Sequence, residues 1–131
     1  MSKRKRERTC VAVVDDDPDF RGLLCRWLEP RFRALAFENA EDFLESEDDA
    51  SQADVVITDV RMDGMNGFRL CERIRKHPLH AHRPVLMLTG VPPVDGLLRG
   101  QRVGASAYLV KPIERKELLG QLDRLLDPLA F

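Results

Sequence analysis

Apolar and polar positions along this chain fall into blocks whose period switches repeatedly between that of a strand and that of a helix. Cys10-Val11-Ala12-Val13-Val14 is apolar without interruption and stops at Asp15-Asp16-Asp17. Asp54-Val55-Val56-Ile57-Thr58-Asp59 is a second such run, closed by another carboxylate. Short, continuous, Val-rich runs read as parallel strands buried on both faces. Between them, Phe20, Leu23, Leu24, Trp27 and Leu28 recur at i, i+3, i+4, i+7 and i+8, which is one face of an amphipathic helix. Asp17 is placed to cap that helix, Pro18 suits its first turn, and Pro30 ends it.

The alternation continues to the end of the chain. Arg33–Phe37 predicts a second strand, and Asn39 caps a brief helix carrying Phe43 and Leu44, whose acidic end runs on as a solvated loop to Asp54. Residues 54–58 form the third strand; a loop with Gly64 and Gly67 then leads to a helix over residues 68–76, with Leu70, Cys71 and Ile74 as its apolar contacts. Pro84 opens a fourth strand over 85–88 that stops at Thr89-Gly90. Pro93–Val103 predicts a fourth helix. Gly96 and Gly100 weaken it, at roughly 1 kcal/mol per interior glycine, so it is expected to be short or mobile beside Thr89. Ala107–Val110 is a fifth strand ending at Lys111-Pro112, and a last helix over 114–126 carries Leu118, Leu119, Leu122, Leu125 and Leu126 in one stripe, core first. Five strand–helix units predict an α/β fold, a doubly wound parallel sheet with helices on both faces.

Composition changes this picture little. At 131 residues, 44% hydrophobic and 33% charged, the chain is one ordinary globular domain. Its net charge of -1 hides a basic leader, because residues 3–8 hold five bases and one acid. Residues 1–8 are therefore expected to be a disordered basic leader, 9–127 the folded domain, and 128–131 a tail. The leader alone is a weak case for nucleic-acid contact, and no reader motif follows Leu126, so no direct nucleic-acid partner is expected. Cys10, Cys25 and Cys71 match no disulfide or metal spacing and read as free thiols in a reducing compartment. His77, His80 and His82 share a polar stretch and read as a surface loop. No apolar run approaches the roughly 18 residues of a membrane span, and no signal-peptide core follows the leader, so a cytoplasmic protein with no membrane partner is expected.

The chemistry lies at the carboxyl edge of the predicted sheet, where ligands bind in open α/β folds. That edge gathers Asp15, Asp16, Asp59, Thr89 and Lys111. Crowded carboxylates repel, and one would stay protonated without a partner. A hard dication resolves the conflict: Mg²⁺, or Mn²⁺ in its place, takes one or two carboxylates, keeps several waters and is completed by phosphate oxygen. A hydroxyl and an ammonium opposite suit the remaining oxygens of a phosphoryl group, and an aspartate can accept it. Taken singly each residue has an ordinary rival. The acids cap a helix, Thr89 ends a strand, Lys111 is solvated, and Tyr108 is a half-buried strand tyrosine.

Taken in order, Val14-Asp15-Asp16, Asp59 in Ile-Thr-Asp-Val-Arg-Met, Thr89 in Leu-Thr-Gly and Tyr108-Leu-Val-Lys111-Pro112 resemble a response-regulator receiver domain of two-component signalling. The spacings are 43 residues from Asp16 to Asp59, 30 on to Thr89 and 22 on to Lys111. The resemblance implies a flavodoxin-like (βα)5 fold with strand order 2-1-3-4-5. It implies that Asp59 accepts phosphate from a sensor histidine kinase or phosphotransfer protein. Asp15, Asp16, Asp59 and the backbone carbonyl of Arg61 would hold Mg²⁺, Lys111 would contact the phosphoryl group, and Thr89 and Tyr108 would move as the switch. It further implies a cis Lys111–Pro112 bond, an output face formed by the fourth helix, fifth strand and last helix and open to a homodimer or a downstream protein, and self-directed phosphoryl chemistry rather than turnover of a substrate. Two positions depart from the pattern: Asp63 stands where proline is usual, and Asn66 where Asp before Gly is commoner. Arg61 and Val91 are expected to tune the lifetime of the phosphoryl group. Two other readings remain. One is a protein-interaction module on the same fold that works without phosphorylation. The other is a phosphatase with an Asp-x-Asp nucleophile, disfavoured because Asp19 stands where Thr or Val is wanted.

Overall fold

The first strand, β1 (Cys10–Val14), is an interior strand of a five-stranded parallel sheet. The computed structural model describes residues 8–46, 53–78, 80–90 and 93–127. Residues 1–7 of the expected leader, residues 47–52 of the acidic loop and the tail 128–131 lie outside the described residues. After β1 come α1 (Pro18–Leu28), β2 (Arg33–Phe37), α2 (Ala40–Glu45), β3 (Val55–Asp59), α3 (Gly67–Lys76), β4 (Val85–Thr89), α4 (Pro93–Val103), β5 (Ala107–Val110) and α5 (Arg115–Leu126). The sheet order is β2-β1-β3-β4-β5, and every pairing is parallel.

All five residues of β1, β3 and β4 are buried, whereas the edge strands β2 and β5 are partly exposed. Because successive strand side chains point to opposite faces, the continuous apolar runs feed two cores. Val11, Val13, Val55, Ile57, Leu86 and Leu88 pack against α1 and α5 through Leu24, Leu28, Leu118 and Leu122. On the other face, Val14, Val56 and Met87 meet Phe43 of α2 and Phe68, Leu70 and Ile74 of α3. Full burial of side chains of this size contributes about 1.5–3 kcal/mol each, so the strand pattern itself dictates two helical layers.

Several local features differ from the sequence expectation. Arg8, assigned to the leader, is bound: its guanidinium donates to the carbonyls of Glu29 and Phe32, at 2.7 and 3.1 Å. The third strand runs one residue further than expected, so Asp59 is its last member. The fourth helix is not short; it spans 11 residues. Its two glycines are buried against Tyr108 rather than left as gaps.

His80 is not a surface residue. It is 1% exposed and packs between His77 and Phe43, with ring centroids at 4.3 and 5.6 Å. A polar-looking sequence hides this because the loop folds under α3 and caps the core at Phe43. Arg75 is equally unforeseen. Its guanidinium donates to the carbonyls of Gly104, Ala81 and Arg83, tying α3 to the turns on either side of β4 and α4.

Gly67 fixes how α3 meets the sheet. A Cβ there would overlap the carbonyl oxygen of Asp59 and lie 3.0 Å from Cα of Val60, while its N–H donates to the Val60 carbonyl at 2.9 Å. Gly67→Ala forces that backbone apart. It is expected to cost about 1–3 kcal/mol, in the range of overpacking changes, read as a lowered urea midpoint.

Burial, with His77 and Arg83 alongside, pushes the His80 imidazole down to about 4. The unfolded chain therefore binds a proton, between about pH 6.5 and pH 4, that the folded chain refuses, so stability is lost as pH falls through that window. His80→Gln should remove this loss. Its stability relative to wild type is expected to rise by about 1–3 kcal/mol between neutral pH and the bottom of the window, measured by urea denaturation at both ends.

Candidate functional site

Parallel register brings four strand ends level. Val14 pairs with Thr58, Asp59 with Leu88, and Thr89 with Val110, so Asp15, Asp59, Thr89 and Lys111 emerge at one edge. The three acids after β1 divide their work. Asp17 caps α1, its carboxylate accepting from the N–H groups of Asp19 and Phe20 at 3.0 and 3.4 Å. Asp15 and Asp16 are left for the site.

Asp15 is 1% exposed. One of its oxygens accepts from the Asp17 N–H at 2.9 Å, while the other, Oδ2, is buried with no hydrogen-bond partner. Asp16 is half-buried, and its Oδ2 accepts from the backbone N–H of Asp63 at 2.9 Å. Asp59 is buried, with Oδ1 3.2 Å from Nζ of Lys111. Carboxylate oxygens of Asp15, Asp16 and Asp59 lie within 4.8 Å of one another. The Lys111 ammonium also stands 4.4 Å from the centroid of the Phe20 ring, a cation–π contact that steadies it over the acids.

Burial and crowding shift these groups. Burial is the main cause that pushes the Asp15 carboxyl up to about 6; Asp59 and Asp16 add to it, against the Asp17 N–H and Lys111. Asp59 is also raised by burial, against the pull of Lys111 and the Val60 N–H. An all-oxygen donor set with an orphaned buried lone pair and surplus negative charge fits a hard dication. Among the described residues this is the one acid, His or Cys cluster able to hold a metal.

Thr89 ends β4 and is 1% exposed; its carbonyl accepts from the Lys111 N–H at 2.8 Å. The Lys111–Pro112 peptide is cis. Tyr108, on β5, turns its buried hydroxyl toward the Thr89 side chain without a hydrogen bond of good geometry. Arg61 is exposed in the loop after β3 and lines an open cleft of about 640 Å³ with Asp16, Asp63, Phe68 and Arg99. Arg99 comes from α4 and places its guanidinium 4.6 Å from the Phe68 ring centroid. Nothing in the sequence pattern singles it out.

The departure at position 63 has a structural use. Proline lacks an N–H, so the Asp63 donor that orients Asp16 exists because the usual proline is absent. The Asp63 side chain itself is exposed. Gly67 could have been suspected, since a glycine directly after a capping Asn66, whose Oδ1 accepts from the Arg69 N–H at 2.9 Å, stands where the helix begins and a larger residue would be ordinary.

Comparison with known proteins gives a consistent result. The model of the response regulator receiver domain matches residues 11–123. The transcriptional regulatory protein GltR of Pseudomonas aeruginosa is 35% identical, over 92% of this chain and 50% of its own length. The DNA-binding transcriptional regulator NtrC of Escherichia coli is 34% identical, over 92% of this chain and 25% of its own length. The chain thus spans half or less of these curated relatives. Among solved structures, the chemotaxis response regulator CheY4 of Vibrio cholerae is similar with a TM-score of 0.81 at 31% identity, covering 90% of this chain and 98% of that one. The response regulator DrrB of Thermotoga maritima gives 0.79 at 30%, covering 90% and 52%. With a doubly wound sheet of order 2-1-3-4-5 and an acid cluster at its carboxyl edge, the chain belongs to the response regulator receiver domain family of two-component signalling.

Proposed function

We propose that this chain is a phosphoacceptor switch in which Asp59 takes a phosphoryl group from a histidine kinase or phosphotransfer protein. The observation that carries the reading is the contact of Asp59 with Lys111 inside a cluster of three carboxylates, one of which has an unpartnered buried oxygen. Asp15, Asp16, Asp59 and the Arg61 carbonyl would hold Mg²⁺, or Mn²⁺, which when bound supplies positive charge to the acids and to the phosphoryl oxygens. A carboxylate oxygen of Asp59 attacks phosphorus in line. The new O–P bond forms as the P–N bond to the donor imidazole breaks, and the electron pair leaves with the imidazole. Lys111 keeps its proton and follows the charge from Asp59 to a phosphoryl oxygen. Such transfer relies on positioning and charge neutralisation, and a buried edge strengthens both.

Thr89 is the hydroxyl at the end of the next strand, and its movement toward a phosphoryl oxygen would free space for Tyr108. The output would be read on the α4-β5-α5 face. That face carries Leu97, Leu98 and Val110, the large hydrophobics exposed among the described residues. A downstream protein, a fused output domain or a second copy of the chain would cover them. Among the described residues no helix is long and apolar enough to cross a membrane. We place the switch in the cytoplasm with its kinase.

Incubation with acetyl phosphate and Mg²⁺ should add one phosphoryl group to wild type, seen by intact mass, and none to Asp59→Asn. A wild type that stays unmodified, or an adduct that survives in the variant, overturns the proposal.

Asp15 supplies an independent check. Its folded pKa of about 6 lies above the unfolded value, so the folded chain holds the extra proton between about pH 4 and pH 6. Stability without metal therefore falls as pH rises through that window. At neutral pH Asp15→Asn is expected to stabilise the metal-free protein by about 1–3 kcal/mol, a gain that closes below about pH 4. Mg²⁺ should raise the urea midpoint of wild type and leave that of the variant nearly unchanged.

A further inference from the structure

We propose that Gly96 and Gly100 form a receptacle in α4 that holds the Tyr108 ring inward, which makes them positioning residues for the switch. The proposal rests on the reading of Tyr108 as the moving part. The two glycines are one helical turn apart and both are buried, whereas Leu97, Leu98 and Arg99 between them are exposed. They share the face turned to the sheet.

Geometry shows what occupies that face. A Cβ at Gly96 would fall on the Tyr108 hydroxyl oxygen and stand 2.8 Å from Cζ. A Cβ at Gly100 would meet Cδ2 at 3.2 Å and Cε2 at 3.5 Å. The ring thus lies lengthwise along α4, its hydroxyl end over Gly96 and its near edge over Gly100. Side chains at these positions are excluded to different degrees. At Gly96 the ring must leave, and at Gly100 it must give by a few tenths of an ångström.

The glycines in the interiors of α1 and α5 make the contrast. At Gly120 a Cβ would meet nothing within 4 Å, and at Gly22 only the end of the Arg26 side chain at 3.6 Å. Interior glycine disfavours a helix, so in α4 the loss has an identifiable return in the seat for Tyr108. Beside the ring, a cavity of about 170 Å³ lined by Leu97, Gln101, Ala105 and Ser106 opens toward the α4-β5 face. The polar neighbour of the hydroxyl is the Thr89 side chain, and packing in the receptacle supplies the rest of the inward hold.

The chain has a single tyrosine, so tyrosinate absorbance reads Tyr108 alone. In the unphosphorylated full chain the phenol should titrate above its ordinary value of 10.0, raised by burial against the pull of Thr89. Gly96→Ala should return it toward that value, Gly100→Ala should shift it less, and Gly120→Ala should leave it in place. Urea denaturation supplies a second reading at neutral pH. Gly96→Ala should lower the midpoint in the native background and raise it in Tyr108→Ala, because the gain in helix propensity is then unopposed. Gly120→Ala should raise it in both. A Gly96→Ala change that raises the midpoint equally in both backgrounds, or leaves the phenol at its wild-type value, overturns the receptacle. Neither measurement involves a phosphodonor, so its failure is distinct from failure of the acetyl phosphate adduct at Asp59.

Discussion

Three carboxylates brought together at a buried sheet edge are the constraint on which the rest of this structure turns. Parallel pairing of β1 and β3 leaves no freedom in the matter. Once Val14 stands opposite Thr58, the next residues are Asp15 and Asp59, and the helices that cover the sheet remove the water that would screen them. Lys111 answers part of the charge at 3.2 Å. The Asp17 and Asp63 N–H groups answer part of the hydrogen bonding. What remains is one orphaned oxygen on Asp15 and an excess of negative charge. The site is therefore built to gain from a cation, and the apolar strands that create the fold also create that need.

Much of this was legible in the sequence because it depends on period and position. Continuous apolar runs require burial on both faces, which predicted the parallel sheet and its two helical layers. The residues that end those runs are then bound to share an edge, which groups Asp15, Asp59, Thr89 and Lys111 by their place in the sequence alone. Features that depend on three-dimensional approach were not legible. His80 sits in a polar segment, and its burial follows from the way the loop folds beneath α3. Arg75 looks like a solvated lysine-like cation on α3, and its role as a hub appears only once Gly104, Ala81 and Arg83 converge on it. Gly96 and Gly100 look like defects in a helix until the partner ring is in place.

Acid response shows why the two ends of the sheet have to be considered together. Asp15, at the carboxyl end, is held above its ordinary pKa, and His80, packed on Phe43 of α2, is held below. Both are neutralised by burial, yet their contributions run in opposite directions over overlapping ranges of pH. Deprotonating Asp15 in the folded state costs stability as pH rises, and refusing a proton at His80 costs stability as pH falls. The whole chain can therefore show a shallow profile while each group contributes strongly. Binding of a cation at the acid edge would remove the Asp15 contribution alone and leave a chain more sensitive to acid than the metal-free one.

The path from site to surface follows from which parts are held least. β1, β3 and β4 are buried along their whole length, and α3 buries Phe68, Leu70, Cys71 and Ile74. By contrast β5 is an edge strand of mixed exposure, and among the described side-chain positions of α4 the fully buried ones are the two glycines. Where α4 faces the sheet its fully buried positions carry no side chains and are filled by the Tyr108 ring, while Arg99 over Phe68 and the Val103 carbonyl, accepting from the Cys71 thiol, hold the helix to α3. Tyr108 stands on β5 three residues before Lys111, which directly follows the strand, and the Lys111 N–H is bonded to the Thr89 carbonyl. Charge at Asp59, the two strand ends and the α4 surface are thus linked through a few residues with one bulky, weakly hydrogen-bonded ring among them. In the proposed switch that ring would be the element with two discrete positions that coupling between sites requires, and its seat on α4 would tie the output face to it.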